Sequence, residues 1–552
     1  AAAPLPYADV PVTPQAPGDG GASDIEACPR GRGQRVPWYV TWLLSLRFIP
    51  IILVVLPVSK ALELYWALRD YVRYDVCAST AHEHDARVRR IAERVRAFAR
   101  GRADGSVPSN LLLCTARSPL MSVSLREAKY KTKSNAIPIE LYDILSLDVE
   151  RRSVRVEPLV SVGRLSRYLV ARGWTVPVVP EMDDLTLGGL LVGYGIEGTS
   201  HKYGLFADTV LSVEVVLGDG RVVVATESNE HADLFRAIPW SYGSLGFVVS
   251  MELRIIPSAP YVRLTYEPVH GLDRICARFE QASCADEPPE FVESLMYSCH
   301  TAVLMTGEFA HRVPDGATVR HINAWHAPLF FRHAEALMKT GRTHTEYIPT
   351  REYYHRHTRG IFWYLELLVP FANHPLFRRT LGWLVPPKVS VLKATQGSAL
   401  KEFYQNANVQ QDVLVPITHM RQCIEYCDKR FGIYPVWLCP HQTVLTEPQG
   451  MLPPADRGER TRARGWQMYV DVGVYGAPER VRRGEPFSGD HECHHLQRYM
   501  RKIGGYQALY AVTVMSEEEF MDMFDHTLWK RMRKKYNADD VFLTPYQKTS
   551  SR

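Results

Sequence analysis

The sequence predicts an α+β fold with a single apolar segment near its N-terminus. Three observations carry this. From residue 111 onward, short apolar runs alternate with turns and a helical pattern, as in an array of short strands. After Pro257 the chain changes to long amphipathic stretches rich in aromatic residues. Ahead of both, residues 36–59 form an apolar run in which Arg47 is the only charge.

Composition sets the bounds. The chain has 552 residues, which allows three or four domains at roughly 100–200 residues each. Apolar residues make up 46% and charged residues 23%, excluding a largely disordered or collagen-like chain. Lys and Arg number 65 against 60 Asp and Glu, a net charge of +5. That balance argues for no nucleic acid as the main partner. A mean hydropathy of −0.18 excludes a multi-span membrane protein. The 10 cysteines contain no CxxC pair and no zinc-type spacing. Most lie in apolar stretches, where a free thiol behaves as a small hydrophobe, and they point to a reducing compartment.

Taken in order, residues 1–35 are rich in Pro, Ala and Gly without hydrophobic periodicity and read as a disordered tail. Residues 36–60 read as a transmembrane anchor, because about 20 residues cross the hydrocarbon core and Trp38 and Trp42 suit an interfacial belt. Arg47, Pro50 and Pro57 weigh against a full span, so a shorter span or re-entrant hairpin from Phe48 is the alternative, with a buried soluble helix as the third reading. Basic residues flank both sides and do not orient it. Residues 61–104 read as a helical linker. Within it, Val88, Ile91, Ala92, Val95 and Phe98 share a face against Arg87, Arg89, Arg90, Arg94, Arg96 and Arg100. That pattern suits an anionic membrane surface and docking on the body equally.

Residues 111–114, 136–140, 154–160 and 175–179 are expected strands, and 162–172 an expected helix. Gly218-Asp219-Gly220, between apolar runs 213–217 and 222–225, predicts a hairpin. Gly193, Gly195 and Gly198 match GxGxxG, with Thr186, Leu187, Gly188 and Gly189 before them and Thr199, Ser200 and His201 after. A Rossmann fold needs a helix opening at such glycines. Residues 200–204 show no helical periodicity, so that fold is rejected. Closely spaced glycines still let a backbone approach a large ligand and aim N–H groups at phosphate oxygens; a plain turn between strands is the competing reading. A second cluster follows at Gly243 and Gly246, running into a β-branched strand at Val248.

The two clusters stand in a recognisable order: a Glu157-Pro158-Leu159-Val160 strand, a helix, Asp183-Asp184-Leu185-Thr186, the glycines, Ser200-His201-Lys202-Tyr203-Gly204, a hairpin, then Trp240-Ser241-Tyr242-Gly243. This resembles the FAD-binding domain of the vanillyl-alcohol-oxidase, or PCMH, type. Within that superfamily the chain resembles the delta-24-sterol reductases. Further matching stretches include Glu346-Tyr347-Ile348-Pro349, Tyr353-Tyr354-His355-Arg356-His357, Trp437-Leu438-Cys439-Pro440 and Tyr469-Val470-Asp471-Val472-Gly473. The resemblance runs from about Phe48 to near the C-terminus.

The resemblance implies two globular domains: a PCMH-type FAD-binding domain at 105–257 and a substrate-cap domain at 258–505, with 506–552 packing back on the first. It implies an oxidoreductase that uses FAD, with NADPH as reductant, to reduce the delta-24 side-chain double bond of sterols. It also implies an endoplasmic reticulum membrane protein with its body facing the cytosol; another organelle membrane, such as the mitochondrial one, is the alternative. The implied partners are a sterol and the lipid membrane, with membrane-protein assembly partners left open. Carried over by position, Thr115, Ala116, Arg117 and Ser118 would form the first pyrophosphate loop. Thr186, Leu187, Gly188, Gly189, Gly193, Gly195 and Gly198 would form the main FAD segment. Thr199, Ser200, His201, Gly243, Gly246 and Val248 would complete it. The first loop normally carries glycine, and this one has none. His201 is placed as a covalent flavin link would be, but this branch implies non-covalent FAD.

An isolated trisubstituted alkene is a poor hydride acceptor, so the chemistry requires protonation of its less substituted carbon and hydride at the neighbouring one. The candidate acids are His355, His357, Tyr469, Asp471 and Tyr475. For the cluster around His355, a salt-bridged interdomain patch is the competing reading. No metal is expected there or at His491 to His495, because neither has the spacing of a metal site. Two other functions remain: a related FAD-dependent dehydrogenase or oxidase of another substrate, and a non-catalytic membrane-bound subunit that keeps the fold.

Overall fold

The structure, a computed structural model, describes Leu46 and residues 48–72, 83–122, 128–395 and 407–550. The expected tail and the first part of the expected span lie outside the described residues. From Phe48 the chain is helical to Arg69, and among the described residues this is the one helix long and apolar enough to cross a membrane. The helix runs through the expected boundary at residue 60. It is also packed along the body. Ile51, Val55, Leu56 and Ser59 recur on one face and are buried, as the period of 3.6 residues requires. Phe48 meets Phe371 edge-on at 5.1 Å, and the Lys388 N–H donates to Ser59 Oγ at 3.0 Å. The opposite face exposes Leu53, Val54, Leu64 and Leu68.

The helix His84–Ala103 docks on the body. Its apolar stripe packs with Leu113, Ile137, Val216, Phe247 and Phe542 in one core. Arg87, on the charged side of the pattern, is buried and bonds Glu157 at 3.1 Å and also Asp143. His84 lies 2.7 Å from Glu157 and 3.1 Å from Glu214. The hairpin turn presses on this helix at Gly220. A Cβ there would lie 2.3 Å from Arg96 Cγ and 2.7 Å from the Ala92 carbonyl, at φ +80°, so only glycine fits.

Two small sheets build the centre. Leu113–Thr115 and Asn135–Ile137 pair in parallel. Ile144–Asp148, Ser153–Val156, Phe247–Arg254, Val210–Val216 and Val222–Thr226 form an antiparallel five-stranded sheet in that order. The antiparallel pairing excludes the Rossmann arrangement, which is parallel. The expected strand at 154–160 stops at Val156, before Pro158, and that at 175–179 shrinks to Trp174–Thr175. Residues 200–204 do contain a turn of helix, Ser200–Tyr203, and Leu187–Val192 precedes it. Gly193 and Gly204 stop both helices before any periodicity can show.

Beyond Pro257 lies an eight-stranded antiparallel sheet, whose inner strands are, in order, Tyr261–His270, Thr301–Ala310, Phe291–Ser298, Val436–Val444, Trp466–Gly476 and Val409–Pro416. One face is covered by Leu272–Ser283, Met420–Phe431 and Gly489–Lys502. The other face turns toward the FAD-type half. Tyr506–Gln507 is the edge strand of this sheet, so the sheet extends past residue 505. The remaining C-terminal helices return to the first half. Trp529 Nε1 donates to Ser244 Oγ at 2.8 Å, and Arg533 Nη1 donates to the Ser244 carbonyl at 2.7 Å.

Candidate functional site

A cavity of about 1700 Å³ opens between the two halves. Thr115, Ala116, Arg117 and Ser118 line it, as do Thr186, Gly188, Gly189, Gly193 and Gly195, and Gly243, Gly246 and Val248. Leu187, Gly198, Thr199, Ser200 and His201 do not. Leu187 points into the core. Gly198 packs on the cap, its carbonyl accepting from the Val292 N–H at 2.8 Å. His201 Nε2 lies 2.9 Å from the Pro289 carbonyl, and burial pushes the ring's pKa down to about 4. This histidine bonds the cap and does not line the cavity.

Two wall positions suit a large flat ligand. A Cβ on Gly243 would meet only Lys548 Nζ at 3.9 Å, so its bare backbone is open to the cavity, whereas one on Gly189 would crowd Thr186 Oγ1 at 3.1 Å, so the missing side chain keeps that wall close and flat. Gly243 also sits at φ +68°. The chain thus fits FAD at the glycine turns.

The far wall comes from the cap sheet, where side chains alternate between faces. In register, Asp412 opposes Gly473 and Leu414 opposes Asp471. Asp412, Trp437 and Tyr475 line the cavity, and Tyr194, Glu181, Phe362 and Tyr510 face it from neighbouring segments. The Tyr475 hydroxyl donates to Asp412 and lies 3.4 Å from the Tyr510 hydroxyl. Gly473 makes room for it: a Cβ there would come within 3.0 Å of Tyr475 Oη. Burial, with Asp471 and Glu181 nearby, pushes the Asp412 carboxyl well above the usual range. Burial, with Glu197 nearby, raises Glu181 to about 8. Burial raises Asp471 to about 7 against the hydrogen bond from Tyr194. Asp412 and Glu181 thus border the cavity, and Asp471 stands behind it, each with its hold on a proton strengthened by burial.

Of the five candidate acids, Tyr475 alone is on the cavity wall. Asp471 stands behind it, receiving the Tyr194 hydroxyl at 2.8 Å. Tyr469 lies deeper in the sheet, with its hydroxyl donating to the Gly504 carbonyl at 3.0 Å. His355 is buried 2.9 Å from Ser166 Oγ and 3.0 Å from the Glu181 carbonyl. His357 stacks on Phe362 at 4.5 Å and sits 3.3 Å from Glu293. Between them, Arg356 bonds Glu197 at 2.7 Å and Glu293 at 2.6 Å, all buried. The histidines thus belong to a salt-bridged interdomain junction, the competing reading of this cluster, and do not line the cavity. The sequence reading missed Asp412, Glu181, Tyr194 and Tyr510. One signal was present for Asp412, a polar residue inside the apolar strand Val409–Pro416.

A family model described as FAD binding domain matches residues 115–226. The Delta(24)-sterol reductase of Homo sapiens is 42% identical over 506 residues, covering 92% of this chain and 94% of the relative. That of Pisum sativum is 40% identical over 546 residues, covering 95% of this chain and 94% of the relative. L-gulonolactone oxidase of Mus musculus is 26% identical over 163 residues, 29% of this chain and 37% of that protein.

Proposed function

The chain belongs to the delta(24)-sterol reductase family, and from that premise we propose how its cavity reduces a sterol side-chain double bond. The observation that carries the reading is the Tyr475–Asp412 pair, which opens on the same cavity as Gly189 and Gly243. The chain is an FAD-dependent sterol reductase. Bound flavin, once reduced, would supply the hydride, and NADPH is its proposed reductant.

The protein's own part is to bind, shield and protonate. An isolated alkene offers no oxygen to carry negative charge, so a proton must reach the less substituted carbon while positive charge grows on the other. Tyr475 is the proposed donor, and Asp412, its hydrogen-bond partner, whose hold on a proton is strengthened by burial, would resupply it by reversing that bond. Trp437, Phe362 and Tyr510 enclose the space, exclude water and present aromatic faces to the developing cation.

The protein is membrane-associated. We propose that the helix Phe48–Arg69 lies with its apolar face in lipid while its other face stays on the body. Trp66 and Ala67 of this helix line the cavity, which supports passage of the sterol from the bilayer directly into the site. Eight described cysteines are free thiols, which supports a body facing the reducing cytosol at the endoplasmic reticulum. The test is the purified chain's flavin absorbance, its bleaching by NADPH and the conversion of a delta-24 sterol. Flavin that NADPH bleaches but a sterol cannot reoxidise would overturn the substrate assignment.

A further inference from the structure

The loop 115–118 has no glycine, and its backbone is partly spent: the Ala116 N–H donates to the Ile137 carbonyl at 2.8 Å. Three cations stand where that loop meets the turn at Tyr242 and the C-terminal helix Pro545–Thr549. All three line the cavity. Lys131 Nζ donates to the Thr115 and Arg117 carbonyls at 2.9 and 2.5 Å. Lys548 Nζ donates to the Tyr242 and Gly243 carbonyls at 3.0 and 3.1 Å. Arg117 donates to Thr186 Oγ1 at 3.3 Å and the Met121 carbonyl at 3.1 Å. Every partner is neutral, and among the described residues no carboxylate pairs with any of the three.

Lys548 is buried and Arg117 and Lys131 are half-buried, and charges so placed without a paired carboxylate are costly unless an anion binds them. Burial lowers all three, Asp184 partly opposing it at Arg117 from beyond pairing distance, and Lys548 is brought down to about 7. Arg533, the next cation along, is different, since Asp539 pairs with it at 2.8 Å.

We infer that Arg117, Lys131 and Lys548 form the subsite for the diphosphate of the bound dinucleotide, in place of the N–H groups that a glycine loop would offer. The inference rests on the FAD reading, because the diphosphate is the anionic part of that molecule. It makes the C-terminal helix, over 300 residues from the glycine turn it touches, part of the cofactor site. Charge-assisted bonds to phosphate are the strong kind.

The test strips flavin from the purified full chain and titrates FAD, riboflavin and NADP⁺ by fluorescence. Wild type is compared with Lys131→Met, Lys548→Met and Lys548→Arg, and the melting temperature of each flavin-free protein is recorded. Each methionine variant should bind FAD about tenfold to a hundredfold more weakly. Riboflavin, which has no phosphate, should bind unchanged. Lys548→Arg should keep most FAD affinity, and the flavin-free methionine variants should melt no lower than wild type. Equal losses for FAD and riboflavin, or a lowered melting temperature, would mean that Lys548 only pins the turn and would overturn the inference. Loss confined to NADP⁺ would overturn it too, by assigning the cations to the other dinucleotide. Wild type that takes up no FAD would instead overturn the FAD reading itself.

Discussion

The Tyr194 hydroxyl donates to Asp471 across 2.8 Å and joins the glycine segment to the middle of the cap sheet. The other oxygen of this carboxyl, Oδ1, is buried without a partner. Burial raises the Asp471 pKa to about 7 from 3.8, the hydrogen bond from Tyr194 opposing it. The folded state therefore holds this proton more tightly than the unfolded chain. Its stabilising share is present below pH 3.8 and declines as pH rises to about 7. Tyr194→Phe removes the opposing bond. In that variant the decline should continue above pH 7, so its melting temperature should fall relative to wild type between pH 7 and 8. A constant offset at every pH would contradict this.

Tyr475→Phe should stop proton delivery while leaving flavin reduction intact. Positioned acids contribute about 10²–10⁴-fold, so single-turnover oxidation of prereduced enzyme by the sterol should slow by that order. Asp412→Asn should slow it less in the first turnover, because Tyr475 still carries one proton. An unchanged sterol step in Tyr475→Phe would move the acid elsewhere on the wall, with Glu181 the next group to replace.

At the interdomain junction, Arg356 is paired with Glu197 and Glu293 through separate nitrogens. Arg356→Met leaves two buried carboxylates without a counter-charge, a loss of about 3–5 kcal/mol for breaking such a pair. Lysine offers one nitrogen where the guanidinium offers a fork, so Arg356→Lys should recover little. Urea unfolding measures both. Stability within about 0.5 kcal/mol of wild type, as for an ordinary surface change, would remove Arg356 from the junction's supports.

What could be read from the sequence followed from local physics. The Gly218-Asp219-Gly220 hairpin and the stripe from Val88 to Phe98 are periodicity and turn chemistry, and both stand as expected. The helix Ser200–Tyr203 was hidden because one turn is too short to repeat. The cavity wall was harder still. Tyr475, Asp412 and Tyr194 meet only through the register of two strands and a contact spanning 277 residues. The cluster from Tyr353 to Arg359 misled for a related reason. Its charges are dense in sequence, but their partners Glu197 and Glu293 lie far away along the chain and close the junction rather than line the cavity.

The helix Phe48–Arg69 separates two kinds of apolar residue, and substitution should split their effects. Leu56 is fully buried against the body, whereas Leu64 and Leu68 are 61% and 63% exposed. Leu56→Ala should cost about 2–5 kcal/mol of folding stability, as buried leucine truncations do, and leave membrane binding nearly unchanged. Leu64→Ser with Leu68→Ser should do the reverse. Each leucine forfeits about 1.5–3 kcal/mol of burial in lipid, and the protein should move toward the soluble fraction in vesicle flotation with its melting temperature in detergent unaltered. A helix that crossed the bilayer apart from the body would show no such split, because Leu56 and Leu64 would then face the same surroundings. Equal loss of flotation for both variants would therefore refute the docked arrangement and restore a free-standing span.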